Sequence, residues 1–159
     1  MDKIKLHNIF HTSDQALLTI QLEERKAEFL PSIIYALREE GISIPFIVQS
    51  INRNGDFTLS LATAQRQLGW MRAAFQEGLD LPRSAPLEVR NDVVLITLYG
   101  PHLGEIPGVA SRILSALAAD RVEILAMSAS LNSSLLVIPR ESLPKALRSL
   151  NRICEIPAK

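Results

Sequence analysis

The sequence contains a single cysteine, few aromatic residues and no excess of charge of either sign. Because Cys154 is alone, an intrachain disulfide and a zinc site built from several cysteines are excluded, and a buried, unreactive thiol is the simplest interpretation. Lysine plus arginine balances aspartate plus glutamate at 17 each, and aromatic residues make up 5% of the chain. Nucleic-acid binding uses concentrated cations, often with stacking aromatics, so the composition argues against it.

Long apolar runs are also missing. No stretch approaches the ~20 apolar residues that span a bilayer, and Met1–Lys5 lacks the apolar core of a signal peptide. His7, His11 and His102 do not have the spacing of metal ligands. No set of nucleophile, base and orienting group can be assembled. We therefore expect a cytoplasmic, non-catalytic protein that has no metal, no cofactor and no membrane partner.

What the sequence does contain is a pattern that occurs twice. Ala16–Glu77 and Val93–Arg152 each follow the order strand, helix, two strands, helix. Thr19 corresponds to Thr97, an offset of 78, and after a two-residue slip in one loop the next helix follows at an offset of 80. Such a duplication rarely builds an active site, but it provides two symmetric surfaces between which a small ligand can be held.

Hydrophobic periodicity and turn signals predict the individual elements. The helix predicted at Phe29–Glu40 has apolar residues at the 3.6-residue spacing, Pro31 in its first turn and Gly41 after its end. The pair Asn54-Gly55 predicts a hairpin turn. The other predicted elements are strands at Ile4–Phe10, Ala16–Leu22, Ile42–Ile51, Phe57–Leu61, Leu87–Arg90, Val93–Gly100, Val122–Ala129, Ser134–Ile138 and Ile153–Ile156, a turn at His11–Asp14, and helices at Thr63–Gly78, Gly108–Asp120 and Glu141–Leu150.

The predicted order gives two βαββαβ units. Each has an antiparallel sheet with helices on one face, which is a ferredoxin-like arrangement of the α+β class. Half-apolar strands fit a sheet with one covered face. Each unit alone would bury only a small share of its surface, so the two copies are expected to share a core or a sheet, or to dimerise.

The segment Gly100–Arg112 reads Gly-Pro-His-Leu-Gly-Glu-Ile-Pro-Gly-Val-Ala-Ser-Arg. It resembles the second ACT domain of aspartokinase regulatory regions, where a strand ending in glycine, a variable loop and Pro-Gly-Val-Ala-x-Arg open the helix. Glu123–Ser130 resembles the strand that ends in a hydroxyl-rich tip. Ile47–Ser50 and Gly55–Ser60 resemble the Val-Gln-Asn segment and the return strand of the first ACT domain. The order and spacing of these segments carry the resemblance over nearly the whole chain.

The resemblance implies two interlaced ACT units, in which an early strand belongs to the sheet of the second unit. We therefore expect residues 15–90 to form the first unit, and residues 1–14 together with 92–159 to form the second. The kinase domain of an aspartokinase has no counterpart, because no nucleotide-binding glycine loop or catalytic lysine precedes the repeat. The sequence is expected to be either a stand-alone relative or a fragment of a longer protein.

The resemblance also implies an amino-acid site between two ACT units, formed by a strand-to-helix loop and a facing strand. In the first unit, Gln49 and Ser50 fall on the matching strand and Asp56 opens the return strand. The alternatives are a solvated glutamine at a strand end and an aspartate that caps the neighbouring turn. The family's Asp-x-Pro-Gly is replaced by Arg25–Glu28, so the ammonium of a ligand lacks its acidic partner unless Glu24 substitutes.

The second unit keeps the Pro107-Gly108 pair. Because a helix N-terminus presents unbonded N–H groups to a carboxylate, the amides of Gly108 and Val109 are candidate ligand contacts. The alternative is that Pro-Gly only makes a tight entry into the helix. Ser128 and Ser130 resemble the hydroxyl tip that lies near the effector in the family, or are polar residues on an exposed strand face.

The leading hypothesis is a non-catalytic, homodimeric module that binds a free amino acid. Binding would shift the population of conformations and thereby regulate a partner enzyme or an attached catalytic domain. A second hypothesis is an interaction or assembly module whose ligand site has decayed, which the loss of the first Asp-x-Pro-Gly favours. An enzyme on a ferredoxin-like scaffold is least favoured because no catalytic set is present, although fold alone does not decide function.

Overall fold

The computed structural model describes residues 2–22, 28–53, 55–77 and 87–156. The chain divides into two compact units. Asp14–Asn91 is called the continuous unit, and Met1–Ser13 together with Asp92–Lys159 is called the interrupted unit. Within the described ranges, no helix has both the length and the apolar character needed to cross a membrane.

Eight strands and four helices follow one another along the described parts of the chain. They are β1 (Ile4–Lys5), β2 (Asn8–Leu22), α1 (Phe29–Glu39), β3 (Phe46–Ile51), β4 (Phe57–Ala64), α2 (Leu68–Glu77), β5 (Leu87–Tyr99), α3 (Val109–Ala119), β6 (Ala126–Ala129), β7 (Ser133–Pro139), α4 (Leu143–Ile153) and β8 (Cys154–Glu155). Short 3₁₀ turns at Gln65–Gln67 and Arg140–Ser142 lead into α2 and α4.

In the continuous unit, β4 lies between β2 and β3 and runs antiparallel to both. The register places Leu18 beside Leu61 and Ile20 beside Leu59. Because successive side chains of a strand point to opposite faces, these alternate residues share the face that packs against α1 and α2. Burying an aliphatic side chain of this size contributes about 1.5–3 kcal/mol. The core consists of Ala16, Leu18, Ile20, Ile33, Leu37, Ile42, Phe57, Leu59, Leu61, Met71 and Phe75.

In the interrupted unit, β7 lies between β5 and β6 and runs antiparallel to both. The core again joins alternate strand residues to the inward stripes of two helices, here α3 and α4. The buried side chains are Ile4, Leu6, Val94, Ile96, Leu98, Leu103, Val109, Ile113, Leu117, Val122, Leu136, Ile138, Ala146, Leu150 and Cys154.

The N-terminal segment belongs to the interrupted unit. β1 pairs in parallel with β8, and the amide of Leu6 donates to the carbonyl of Glu155 at 2.9 Å. Arg112 on α3 donates from Nη2 to the carbonyl of Asp2 at 2.6 Å. Ile4 and Leu6 are almost fully buried. Burial of both side chains and these polar contacts hold residues 2–7 in place.

Two predicted interruptions are wrong, because β2 and β5 are each one continuous strand. β2 runs through the predicted turn at His11–Asp14, and β5 joins the predicted strands Leu87–Arg90 and Val93–Gly100. Asp14 (φ 57°) and Asp92 (φ 51°) are left-handed at these points. Aspartate tolerates single left-handed positions because its short side chain can bond locally. The chain passes from one unit to the other at these same two positions.

Two predicted strands begin later than expected. Strands predicted from Ile42 and Val122 begin at Phe46 and Ala126. The amides of Ile42 and Val122 donate to the carbonyls of Leu37 and Leu117, each at 2.9 Å, so they still belong to the helix terminus. The predicted helices at Thr63 and Glu141 likewise begin only after a 3₁₀ turn, at Leu68 and Leu143.

The helices α1 and α3 end in the same way. Gly41 (φ 64°) and Arg121 (φ 54°) are both left-handed and follow the helix at equivalent positions. Their amides donate to the carbonyls of Arg38 and Ala118, each at 2.9 Å. This is the hydrogen-bond pattern of a Schellman motif, which strongly favours glycine at the left-handed position. The first helix has the favoured residue and the third does not.

Replacing Arg121 by glycine is expected to raise the free energy of unfolding by about 0.5–1 kcal/mol, because a left-handed conformation costs other residues roughly 1–2 kcal/mol, more than glycine's added unfolded-state entropy. Gly41→Ala should lower the same quantity by about 1 kcal/mol. Urea denaturation of both variants measures the two changes. Shifts of the same sign would contradict this account of the helix ends.

Asp120, the last residue of the α3 terminus, ties that helix to α4. Its carboxylate accepts hydrogen bonds from the hydroxyl of buried Ser149 and from Nη2 of Arg152, the latter at 2.9 Å. The bond from Ser149, followed by that from Arg152, lowers the pKa of Asp120 below its ordinary value of 3.8. The ionised form is therefore favoured in the folded protein.

A carboxylate with a lowered folded-state pKa stabilises the protein above pH 3.8, and this contribution disappears as the pH falls through the folded-state pKa. Asp120→Asn should therefore be less stable than the wild type at pH 7, and the difference should shrink as the pH falls below 3.8 and through the lowered folded-state pKa. Thermal unfolding across pH 2.5–7 (a range set by ordinary carboxylate pKa values of roughly 4) measures it. A gap that persists at the acid end, or that exposed Glu123→Gln reproduces, would refute the linkage.

Candidate functional site

The loop between β5 and α3 is held against the turn between β6 and β7. The amide of Gly100 donates to the carbonyl of Asn132, and the amide of Gly104 donates to the carbonyl of Leu131, both at 3.0 Å. The side-chain oxygen Oδ1 of Asn132 accepts from the amide of His102 at 3.3 Å. Residues separated by about 30 positions in sequence therefore form one local structure.

Gly104 is required by this arrangement. A Cβ atom at Gly104 would lie 2.9 Å from the carbonyl oxygen of Ser130 and 3.1 Å from Cα of Leu131, closer than side chains approach backbone. Glycine permits such close approach because it has no Cβ. Sequence reasoning missed Gly104 and Asn132 as elements of the site, because contact between distant segments leaves no local pattern.

The start of α3 has the geometry of an open helix entry. Gly108 occupies the N-cap in a left-handed conformation (φ 85°, ψ −4°) and has no side chain to cap the helix. The first-turn amides of a helix have no intrahelical acceptor, and the positive end of the helix dipole lies there. The amide of Val109 donates weakly to the carbonyl of Ile106 at 3.4 Å, while the side chain of Val109 is buried in the core.

A tight turn precedes this helix entry. The carbonyl of His102 accepts from the amides of Glu105 and Ile106, at 3.0 and 3.1 Å. The left-handed backbone of His102 (φ 60°) makes the turn possible. Nδ1 of His102 lies 2.7 Å from Oε2 of Glu105, and both side chains are largely exposed. The loop thus presents a carboxylate just before the exposed Pro107 and the helix N-terminus.

The two candidate serines occupy different environments. Ser130 closes the turn beside Gly104: its amide donates to the carbonyl of Ser133 at 2.7 Å, and the two hydroxyls are 2.9 Å apart. Ser128 lies on β6 beside Leu135 and is half-buried. Ser130 therefore adjoins the loop that ends at the helix entry, whereas Ser128 lies within the sheet.

The candidate ligand-binding residues of the continuous unit do not form one cluster on a common face. Gln49 pairs with Leu59 and Ser50 pairs with Thr58, so the two adjacent side chains point to opposite faces of β3. Asp56 is engaged locally, because its Oδ2 accepts from Nδ2 of Asn52 at 2.6 Å and its amide donates to Oδ1 of Asn52 at 2.9 Å. Glu24 lies outside the described residues.

The described residues offer little reactive chemistry. Among them, no three histidine, cysteine, aspartate or glutamate side chains are grouped so as to hold a metal ion. Burial raises the pKa of the Cys154 thiol to about 11, so the thiol is protonated at neutral pH and is a poor nucleophile. The arrangement at the start of α3 is suited to holding an anionic group.

Comparisons with known proteins agree with this geometry. The family model of the ACT domain matches residues 88–152. Aspartokinase of Helicobacter pylori is 24% identical over 143 residues, which is 90% of this chain and 35% of that protein. The ligand-free regulatory subunit of aspartate kinase from Thermus thermophilus is similar in structure, with a TM-score of 0.83 at 19% sequence identity. The structural alignment covers 94% of this chain and 99% of that subunit.

A further structure adds a bound state. Aspartokinase III of E. coli in complex with lysine and aspartate has a TM-score of 0.68 at 19% sequence identity. The structural alignment covers 96% of this chain and 34% of the E. coli chain.

These matches confirm the resemblance predicted from the sequence. Residues 88–152, most of which belong to the interrupted unit, match the family model of the ACT domain, and the chain has the fold of an aspartokinase regulatory region. The predicted α+β class, with antiparallel sheets and helices in ferredoxin-like units, is confirmed as well. The chain spans about a third of the length of the curated aspartokinase that it matches.

Gly104→Ala should lower the free energy of unfolding by about 1–3 kcal/mol, because the loop must move away from Ser130 and Leu131. Gly69 on α2 is the matched control: a Cβ there meets nothing within 4 Å, so Gly69→Ala should stabilise the helix by about 0.5–1 kcal/mol. Denaturant titration, with hydrogen exchange at the Gly104 amide, measures both. Equal effects at the two glycines would contradict the close approach.

Proposed function

We propose that this chain is a non-catalytic regulatory module that binds a free amino acid at the start of α3. It acts in the cytoplasm as a homodimer and conveys the bound state to an enzyme, either a separate partner or a catalytic domain of the same polypeptide. The single observation that carries the proposal is the uncapped, left-handed helix entry at Gly108, inside the segment that matches the ACT domain.

The chemistry of the loop fits the two charges of an amino acid. A carboxylate is stabilised by first-turn amides and by the positive end of the α3 dipole. An ammonium finds the exposed carboxylate of Glu105, three residues before Gly108. Ile106 and Leu131, which belong to the two segments held together, are each more than half exposed and offer apolar surface to the ligand's side chain.

The similar proteins support an amino-acid effector. The E. coli relative of the same fold was solved with lysine and aspartate bound, and the Thermus thermophilus relative is itself a regulatory subunit. Within the continuous unit, Gln49 remains a candidate for a second contact surface, because its side chain is exposed on the strand face that carries Ile47 and Ile51. Ser50, Asp56, Ser128 and the Glu24 position are secondary candidates.

Regulation would follow from differential binding to two conformations of the module. Inside the interrupted unit, Arg112 connects the start of α3 to the N-terminal segment. The amide of Arg112 donates to the carbonyl of Gly108 at 2.9 Å, while its guanidinium donates to the carbonyl of Asp2 at 2.6 Å. A ligand that repositions the start of α3 thereby acts on the N-terminal segment.

An exposed apolar strip supports self-association. Within the continuous unit β3 is an edge strand, and Ile47 and Ile51 on it are 42% and 44% exposed. They lie beside Leu61 and Phe57, which belong to the core. The core face therefore continues into solvent at this edge, and an edge strand with apolar side chains is a template for pairing with a second copy.

Ligand binding should raise the melting temperature in a screen of the twenty amino acids, and calorimetry should give a saturable heat with the responding one. Gly108→Ala should weaken this binding by about tenfold or more. The substitution repositions the amide at the helix entry, and the charge-assisted hydrogen bond that is then lost is worth roughly 1.5–3 kcal/mol. Gly55→Ala is the control, because Gly55 is also left-handed (φ 89°), with nothing within 4 Å of an added Cβ.

No thermal shift and no heat with any amino acid would refute ligand binding. An equal loss of affinity in Gly55→Ala would show that the Gly108 effect comes from lower stability alone.

The engaged carboxylate of Asp56 and the apolar edge of β3 favour a second candidate, an assembly module whose ligand site has decayed. Sedimentation of the protein with and without amino acids separates the two functions. A constitutive dimer that does not respond to any amino acid, but binds one specific protein partner, supports the assembly module.

A further inference from the structure

A cleft of about 330 Å³ opens in the continuous unit, where the end of α1 meets the start of α2. Its volume lies at the lower end of the roughly 300–1,000 Å³ that small-molecule sites occupy. None of the candidates from the sequence falls in it. The residues that line it are Glu40, Ile42, Arg66, Gln67 and Trp70.

Gln67, one of the residues that line the cleft, is held by hydrogen bonds. Gln67 donates from Nε2 to the carbonyl of Gly41 at 3.3 Å. The hydroxyl of buried Thr63 donates to the carbonyl of Ser43 at 3.0 Å and lies 3.2 Å from Oε1 of Gln67. These bonds connect the segment after α1, next to Glu40, to the turn before α2, next to Arg66.

Glu40 and Arg66 place opposite charges on the same cleft without neutralising each other. No ion pair of either residue is present within residues 2–22, 28–53, 55–77 and 87–156. Glu40 also stands at the C-terminal end of α1, where the helix dipole adds negative potential. The cleft therefore has a cation-attracting side and an anion-attracting side.

In the other copy of the internal repeat, the equivalent acidic side chain has hydrogen-bond partners. Asp120 occupies the position in the interrupted unit that Glu40 has in the continuous unit, directly after an 11-residue helix. Asp120 is held by Ser149 and Arg152. The helices α2 and α4 begin at Leu68 and Leu143, which places Ala74 where the other unit has Ser149. Alanine cannot donate a hydrogen bond, so the carboxylate of Glu40 remains available.

Trp70 adds a large apolar surface to the cleft. Its side chain is 64% exposed, although tryptophan is on average a highly buried residue. The corresponding position in the other unit is Lys145. An exposed indole beside a guanidinium and a carboxylate provides one stacking face and two charged contacts for a small ligand.

We propose that this cleft binds a free amino acid that has an aromatic or long apolar side chain. The ligand's ammonium bonds the Glu40 carboxylate, its carboxylate bonds the Arg66 guanidinium, and its side chain lies against Trp70 above Ile42. The site is separate from the helix entry at Gly108 and does not depend on it. It gives the continuous unit a ligand although its first loop lacks the Asp-x-Pro-Gly of the family.

Trp70 is the only tryptophan of the chain, so its fluorescence reports on this cleft alone. Titration with phenylalanine should give a saturable change in emission. Phenylalaninamide, which lacks the carboxylate, and N-acetylphenylalanine, which lacks the ammonium, should each bind about tenfold more weakly or worse, because each loses one charged hydrogen bond.

Glu40→Gln and Arg66→Gln should weaken phenylalanine binding by a similar factor. Glu39→Gln and Arg72→Gln are the matched controls, because both residues are exposed neighbours that do not line the cleft. Gly108→Ala should leave the titration unchanged, which separates this site from the helix entry.

Three results would overturn the proposal. The first is no saturable change with phenylalanine or leucine, which is also the outcome expected if the cleft docks a protein segment instead. The second is equal binding of the two blocked derivatives. The third is equal loss of binding in the control variants. Failure of this titration does not affect a thermal response that Gly108→Ala weakens, because that response belongs to the helix entry. A thermal response that Glu40→Gln weakens and Gly108→Ala does not belongs to the cleft.

Discussion

Each unit depends on the match between two periodicities. Helix stripes that repeat every 3.6 residues pack on strand faces that repeat every two residues, and a shift of one residue would turn every apolar strand side chain away from its helices. Leu18, Leu61 and Ile33 show the match in one unit, and Ile96, Ile138 and Ile113 show it in the other. The loops and turns that carry polar chemistry are positioned by this packing, because their ends are fixed by the strands and helices that they connect.

The same match explains which elements were predictable. Helices α1 and α3 were predicted to within a residue at each end, since their apolar stripes and terminal residues are local signals. The turn at His11–Asp14 was wrongly predicted because a polar cluster and a single left-handed residue are compatible with an unbroken strand. The late start of β3 was missed because the amide of Ile42 is used by the helix before it, a contact that hydropathy does not reveal.

The candidate site divides along similar lines. Pro107-Gly108 was found from sequence because its role is local: a turn and a helix start. Gly104 and Asn132 were missed because their roles come from a contact between distant segments. The cleft at Trp70 was missed because the residues that line it come from the end of α1 and the start of α2, which are brought together only in the folded unit.

The interlacing of the chain has a consequence for its synthesis on the ribosome. The continuous unit, Asp14–Asn91, is one uninterrupted stretch and can close as soon as it has emerged. The interrupted unit pairs β1 with β8, which follows it far along the sequence, so the first strand stays without this partner until β8 has been synthesised. Contacts so distant in sequence form slowly and leave apolar strands exposed in the meantime. Ile4 and Leu6, which are buried in the folded unit, would be exposed during this time and available for chaperones to bind.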